Sequence, residues 1–337
     1  MFITDLEEKH ITSFDVINRR KVQNFLEQQG LEFDQNIQYT IAIFEGEKVI
    51  ATGSFDHAVL KCIAIAPEYK GFGLTNKMIS ELINEQYRRG FEHLFVYTKP
   101  ENEEIFLDLG FYKIMEVPEK VILLENSADG ISQYVKEIEK YKIQGDKIAS
   151  LVMNCNPFTL GHRYLIEQAS KENDVVHIFI VAEDRSYFST ATRNELVREG
   201  TKDLQNVHVH EGSNYMISAA TFPSYFLKES SVVVETHAIL DLLIFSQYIA
   251  PALGIHRRFV GEEITCPVTK EYNRIMKGLL PQYGIEVVEI PRLQMNGSPI
   301  SASRVRQLLE NENYAEIKAI VPETTYDYLM NKYERSR

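Results

Sequence analysis

Cysteine is scarce in this chain. There are three in 337 residues, Cys62, Cys155 and Cys266, far apart and without a CxxC pair. That spacing excludes a zinc ribbon and a disulfide framework and fits a reducing, cytoplasmic setting. Positive charge is also short: 36 Lys and Arg stand against 48 Asp and Glu, a formal net charge of -12. An acidic surface repels phosphate backbones and anionic lipid, which argues against nonspecific nucleic-acid or membrane binding but leaves room for a local basic nucleotide pocket. Long uninterrupted apolar runs are missing. The longest, 238–253, is broken by Asp241, Gln247 and Pro251 and reads as a buried helix rather than a membrane span. The first ten residues, MFITDLEEKH, are acidic and lack the apolar stretch of a secretory leader. There is no low-complexity tract and no clear internal repeat.

What is present is the composition of a soluble globular protein, 44% hydrophobic and 25% charged, with enough length for two domains. The first part reads as a helix at 14–29, strands at 37–44 and 49–55 joined by the turn Glu45-Gly46-Glu47, and a strand at 58–65. The stretch Pro67-Glu68-Tyr69-Lys70-Gly71-Phe72-Gly73 then opens an amphipathic helix, in which Leu74, Met78, Ile79, Leu82 and Ile83 recur at helical spacing. A strand at 93–97, a helix at 102–109 and a strand at 112–117 complete the unit. The chain turns polar between Glu125 and Gly145, so the expected layout is a domain at 1–130, a linker at 131–145 and a second domain at 146–337. In the second domain, apolar segments at 148–153, 175–181, 207–209, 232–234, 258–260 and 285–290 read as strands alternating with helices. That alternation predicts an α/β fold with a doubly wound, mostly parallel sheet, which binds ligands at the carboxyl ends of its strands.

Two such strand ends carry chemistry. After the first strand come Asn154-Cys155-Asn156-Pro157-Phe158-Thr159-Leu160-Gly161-His162 and a helix. Gly161 permits close backbone approach, and His162 sits in the first helical turn, where free N–H groups and the helix dipole attract anions. Thr159 adds a hydroxyl. After the last strand, Ile300-Ser301-Ala302-Ser303-Arg304-Val305-Arg306 places hydroxyls and fixed positive charge at another helix start, the makings of a phosphate clamp. Either stretch alone is equally a capped helix with solvated side chains. Together, in order and at the ends of the sheet, they resemble the T/HxGH and ISxS/TxxR signatures of the nucleotidyltransferase superfamily. That resemblance implies a Rossmann-like domain that cleaves ATP between its α- and β-phosphates.

With the intervening Val181-Ala182-Glu183-Asp184-Arg185-Ser186, Phe188, Arg193, Ala219 to Phe226, and Phe259-Val260-Gly261-Glu262-Glu263, the chain resembles the citrate (pro-3S)-lyase ligase family over nearly its whole length. The N-terminal part is similar to the GNAT acetyltransferase fold, an α+β domain. There Lys70, Gly71 and Gly73 resemble the loop that cradles the pyrophosphate of coenzyme A, with Lys70 in place of Arg or Gln. The family resemblance implies ATP, with Mg²⁺ carried on the phosphates, and acetate as the acid. The expected acceptor is the acyl carrier subunit of citrate lyase with its dephospho-coenzyme-A-type arm. Acetyl-AMP forms with release of pyrophosphate, and the arm's thiol then attacks it. His162, Thr159 and Arg304 are the implied catalytic residues. Asn156, Phe158, Gly161, Ser301, Ser303 and Arg306 line the nucleotide, with Arg185 and Arg193 as candidate anion contacts. Other readings remain open: an adenylyltransferase acting on a phosphorylated pantetheine- or nicotinamide-nucleotide-like acceptor, an acetyl-CoA-dependent acetyltransferase with a nucleotide sensor, and a carrier-binding module. The pair His208 and His210 lacks a third metal ligand, Glu262-Glu263 reads equally as an acidic turn, and Cys155 has no evident base, so no protein-held metal or cysteine nucleophile is expected.

Overall fold

The computed structural model describes residues 6–34, 36–182, 186–218, 221–222 and 232–333. The chain divides into two compact units, residues 1–130 and 131–337.

In the first unit, seven strands form one sheet in the order β1-β2-β3-β4-β5-β7-β6. They are β1 (Leu6–Ile11), β2 (Tyr39–Glu45), β3 (Lys48–Asp56), β4 (Val59–Ile65), β5 (Phe95–Thr98), β6 (Tyr112–Val117) and β7 (Val121–Glu125). Neighbours run antiparallel except β4 and β5, which pair in parallel at Val59↔Phe95 and Leu60↔Val96. Helices α1 (Val16–Gln28), α2 (Leu74–Arg88) and α3 (Glu103–Asp108) complete the unit. The apolar stripe of α2, Leu74, Met78, Ile79 and Leu82, is buried in the core. The helix lies so close to β3 that a Cβ on Gly53 would come within 2.8 Å of both Met78 and Leu82. The sequence pattern missed β1 and β7. β1 is a sheet-edge strand, mostly charged, with Ile11 its one fully buried residue, so it carries little apolar signal. The loop into α2 is exposed at Lys70, Gly71 and Gly73, and the two glycines have φ of +82° and +76°, a conformation in which an L side chain is strained.

The second unit opens on α4 (Gly130–Glu139), which buries Ile131 and Ile138 seven residues apart on one face. Residues 131–145, read as a linker from their polarity, thus carry an amphipathic helix of the second unit. Five strands follow: β8 (Ile148–Met153), β9 (Val175–Ile180), β10 (Val207–Glu211), β11 (Arg257–Gly261) and β12 (Glu286–Ile290). All pairings are parallel, in the order β10-β9-β8-β11-β12. The order reverses between β8 and β11, which opens a crevice at their carboxyl ends. On one face, α5 (Leu160–Glu172) and α6 (Thr190–Thr201) pack against Leu151, Met153, Ile178 and Phe259.

The segment 232–234, expected as a strand, instead begins α7 (Val232–Ile244). Three valines in a row favour a strand locally. The apolar pattern continues through Ala238, Leu242 and Phe245 at four- and three-residue spacing, all buried with Val234, and that helical burial overrides the β-branched preference. The chain passes through a π-helical turn (Phe245–Ile249) into α8 (Ala250–Leu253). The run Val234–Leu253, long and apolar enough for a membrane span, is largely buried inside the protein. Asp241, which interrupts it, accepts from the Ile217 N–H at 2.6 Å, the Thr221 hydroxyl at 2.7 Å and the Tyr272 hydroxyl at 2.8 Å. Burial pushes its carboxyl pKa up, and these three donors oppose the shift. Tyr272 lies on α9 (Pro267–Leu279), so the aspartate ties α7 to α9.

Gly200 of α6 lies under the Phe158 ring, where an added Cβ would sit 2.5 Å from Cε1 and 2.8 Å from Cδ1. Gly200→Ala therefore sets overpacking of about 1–3 kcal/mol against a helix-propensity gain of roughly 1 kcal/mol. The expected result is a net loss of stability, read as a lower denaturant midpoint in urea unfolding of the chain.

Candidate active site

The carboxyl end of β8 runs through Asn154, Cys155 and Asn156 into α5. Thr159 caps that helix: its Oγ1 accepts from the His162 N–H at 3.4 Å, while its own N–H donates to His162 Nδ1 at 3.1 Å. The Thr159 hydroxyl also lies 3.0 Å from Nδ1, and the backbone donor assigns the tautomer. A backbone N–H can only donate, so Nδ1 is the acceptor and the ring proton of the neutral imidazole sits on Nε2. Burial, and after it the charge of Arg292, lower the His162 pKa to about 4, so the ring is a neutral donor at physiological pH. The Phe158 ring stacks against it at 6.0 Å and 11°.

The second loop follows β12. A short hairpin, β13 (Gln294–Met295) and β14 (Ser298–Pro299), leads to α10 (Ala302–Glu310). Ser301 caps α10, its Oγ accepting from the Arg304 N–H at 3.2 Å. The two motif loops touch through backbone: a Cβ on Gly161 would meet the Ile300 carbonyl oxygen at 3.1 Å. The absent side chain at Gly161 therefore allows the start of α5 to reach the α10 loop. Arg306 fastens the junction, donating from Nη1 to the Asn156 carbonyl and from Nη2 to Ser303 Oγ at 3.0 Å.

Around this junction lies a cleft of about 1180 Å³, lined by Asn156, Thr159, Gly161, His162, Ser301, Ser303, Arg304 and Arg306. The start of α9, from Cys266 to Thr269, lines it as well. Three helix N-termini thus face one cavity, each presenting N–H groups with partial positive charge. Among the described residues, Arg292, Arg304 and Arg306 are the lining cations and Glu263 the lining carboxylate. The protein is acidic overall, yet this cleft is locally positive.

The side chains differ in what they have left to offer. Arg304 pairs with Glu316 at 3.1 Å in a half-exposed bridge, which costs little to exchange for a phosphate. Arg306 is committed to the junction. Thr159 is fully buried and its hydroxyl sits in the cap, so it positions His162 rather than meeting phosphate through a free hydroxyl. Phe158 is likewise core, backing the histidine and not lining the cleft. Arg193 departs furthest from expectation. It is fully buried, and its guanidinium donates to the carbonyls of Phe188, Asn154 and Val181 and to Thr190 Oγ1 at 2.7–3.1 Å. These bonds brace the loop after β8 against the start of α6. Arg185 lies outside the described residues. Lys70, Gly71 and Gly73 belong to the first unit.

Of the residues set aside by the sequence reading, Glu263 accepts through Oε1 from Thr265 N–H and Oγ1, both at 2.8 Å, and from Cys266 N–H at 3.0 Å. Its other oxygen takes Arg292 Nη2. Burial works against the ionised form, but these donors hold the carboxyl below its usual pKa. Burial pushes the Cys155 thiol up, which suits packing rather than nucleophilic attack. His210 meets a partner the sequence did not suggest, His177 Nδ1 at 2.8 Å, and among the described residues no three metal-ligating side chains assemble. Arg292 was missed altogether. Its one sequence signal is position, two residues past the end of β12 at the carboxyl edge of the sheet.

Residues 148–329 match the family described as citrate lyase ligase C-terminal domain. The citrate (pro-3S)-lyase ligase of Escherichia coli K12 is 45% identical over 322 residues, covering 94% of this chain and 92% of that protein. The ligase of the same name from Klebsiella pneumoniae is 42% identical, covering 95% of both chains. Among solved structures, an acyl-CoA N-acyltransferase from Pseudomonas aeruginosa aligns with 36% of this chain and all of its own, at 10% identity and a TM-score of 0.33. The ribosomal-protein-S18-alanine N-acetyltransferase from Escherichia coli covers the same share, with 92% of its own length, at 16% identity and a TM-score of 0.31. With close relatives spanning almost its full length and the family model covering more than half of it, the chain belongs to the citrate lyase ligase family of enzymes.

Proposed function

We propose that this protein is the ATP-dependent ligase that acts on citrate lyase. In this reading it activates acetate as acetyl-AMP, releases pyrophosphate, and passes the acetyl group to the thiol of the prosthetic arm on the acyl carrier subunit. The observation that carries the proposal is the meeting of His162 with the start of α10 across one positive cleft. The acetate carboxylate attacks the α-phosphorus, and negative charge builds on the nonbridging oxygens and on the departing pyrophosphate. Catalysis then needs donors already in place. His162 Nε2–H supplies one without carrying charge. Ser303, Arg304 and the α10 N-terminus take the β- and γ-phosphates, with Ser301 holding the helix start. Mg²⁺ would be carried on phosphate oxygens and its own waters. Glu263, the carboxylate among the described lining residues, has both oxygens engaged and fits poorly as a metal ligand. The glycine loop of the first unit is the proposed hold for the coenzyme-A-like arm, since Gly71 and Gly73 at positive φ bare backbone N–H groups before α2. The unpaired thiols fit a cytoplasmic enzyme.

The direct test is incubation with ATP and acetate, reading pyrophosphate and hydroxylamine-trapped acetyl groups. Acetate-dependent release of both supports the ligase. Release with a phosphorylated acceptor and not with acetate transfers the assignment to an adenylyltransferase.

His162→Ala should lower acetate-dependent pyrophosphate release by about 10²–10³-fold, the usual worth of one preorganised donor, with an unchanged circular dichroism spectrum. The His162 ring signal, assigned by its loss in His162→Gln, should titrate near pH 4 in proton NMR. Because the folded pKa lies below the unfolded one, protonation opposes folding. The stability linked to this ring is complete above about pH 6.5 and is lost as pH falls toward 4. A midpoint near 6.5 would show a solvated, chargeable imidazole instead. Lys70→Ala should lower the ratio of thiol transfer to hydroxylamine trapping, and an unaltered ratio removes this loop from the acceptor step.

A further inference from the structure

Arg292 belongs to neither motif, yet it lines the same cleft as His162. It follows β12, and Pro291, Arg292 and Leu293 all line the cleft. Two bonds fix its guanidinium: Nε donates to the Glu262 carbonyl at 2.7 Å, and Nη2 donates to Glu263. Glu263 is itself immobilised by Thr265 and Cys266. The loops after β11 and β12 therefore hold this arginine in one orientation, while Arg304 rests on an easily exchanged surface pair. Among the described residues Nη1 meets no hydrogen-bond partner, and the side chain is 25% exposed. Its charge reaches His162, since it is the second cause, after burial, of that ring's lowered pKa. A neutral Nε2–H donor and a fixed cation thus line one cleft. Two groups that raise the positive potential at the same point stabilise an anion between them and leave each other worse off without one.

The geometry points to Arg292 as the residue that, with His162, holds the α-phosphoryl group of the nucleotide. This deepens the proposed function and rests on it. The division of labour follows from placement. Arg304 and Ser303 lie at the start of α10 and take the outer phosphates, while Arg292 lies with His162, where charge develops during attack. Glu263 is the positioning residue, acting through Arg292.

The discriminating experiment compares AMP, ATP and adenosine binding by calorimetry to the full chain and its variants. AMP carries the α-phosphate alone, and adenosine carries none. Arg292→Gln should weaken AMP and ATP binding by the same factor, about tenfold or more, as for loss of a charge-assisted contact, and leave adenosine binding unchanged. Arg304→Gln should weaken ATP and leave AMP as in the unaltered protein. Arg292→Lys, which keeps the charge but loses the two-armed hold, should fall between unaltered and Gln, and it serves if the Gln variant does not fold. Glu263→Gln should reproduce a smaller, equal loss for AMP and ATP. AMP affinity unaffected in Arg292→Gln or Arg292→Lys overturns the inference. So does a lowered melting temperature with an unchanged ratio of AMP to adenosine affinity, because that is the signature of a mere brace. If the unaltered protein binds no ATP at all, the proposed function itself falls, a result separate from either.

Discussion

The site depends on one backbone contact. Gly161, in the first turn of α5, lies against the Ile300 carbonyl with no room for a methyl group at ordinary distance. The two helix starts are far apart in the chain and come together because β8 and β12 run parallel on either side of β11. That topology brings their loops to the same edge, and the missing side chain lets them close the last few tenths of an ångström. Arg306 then bridges the loops to the Asn156 carbonyl. The arginine nearest the junction is thereby committed to structure, and the looser Arg304 remains for ligand.

Charge follows the same logic. A net charge of -12 is spread over the whole protein, while the described side chains lining the cleft carry three arginines and one glutamate. The glutamate is turned inward on Arg292 and the Thr265–Cys266 turn, so it orients a cation rather than repelling an anion. Three helix N-termini add partial charges that cannot titrate. The cleft therefore stays locally positive in an otherwise acidic protein.

Much of this was legible in the residues themselves. The parallel α/β domain and β8 to the residue follow from periodicity, and the two loops that meet at the cleft were legible through their resemblance to the paired superfamily signatures. What was not legible depends on tertiary context. Val232 to Val234 look like a strand until the following residues are seen to bury at helical spacing. Arg193 looks like an anion contact until its guanidinium is found buried among backbone carbonyls. Thr159 carries the right hydroxyl, but the cap uses it. Arg292 has no motif around it, and its importance comes from Glu263 and His162, neighbours in space that belong to other strand ends.

The reciprocal cap at the start of α5 limits which reactants the centre can serve. With Nδ1 filled by a backbone donor and Nε2 already protonated, the imidazole has no lone pair free to remove a proton. Glu263 is held by its neighbours in the same way. A hydroxyl nucleophile arriving here would find no described lining group ready to deprotonate it. Carboxylates arrive already ionised at neutral pH and need no such help, so the capped histidine is compatible with the acid substrate of the proposed reaction.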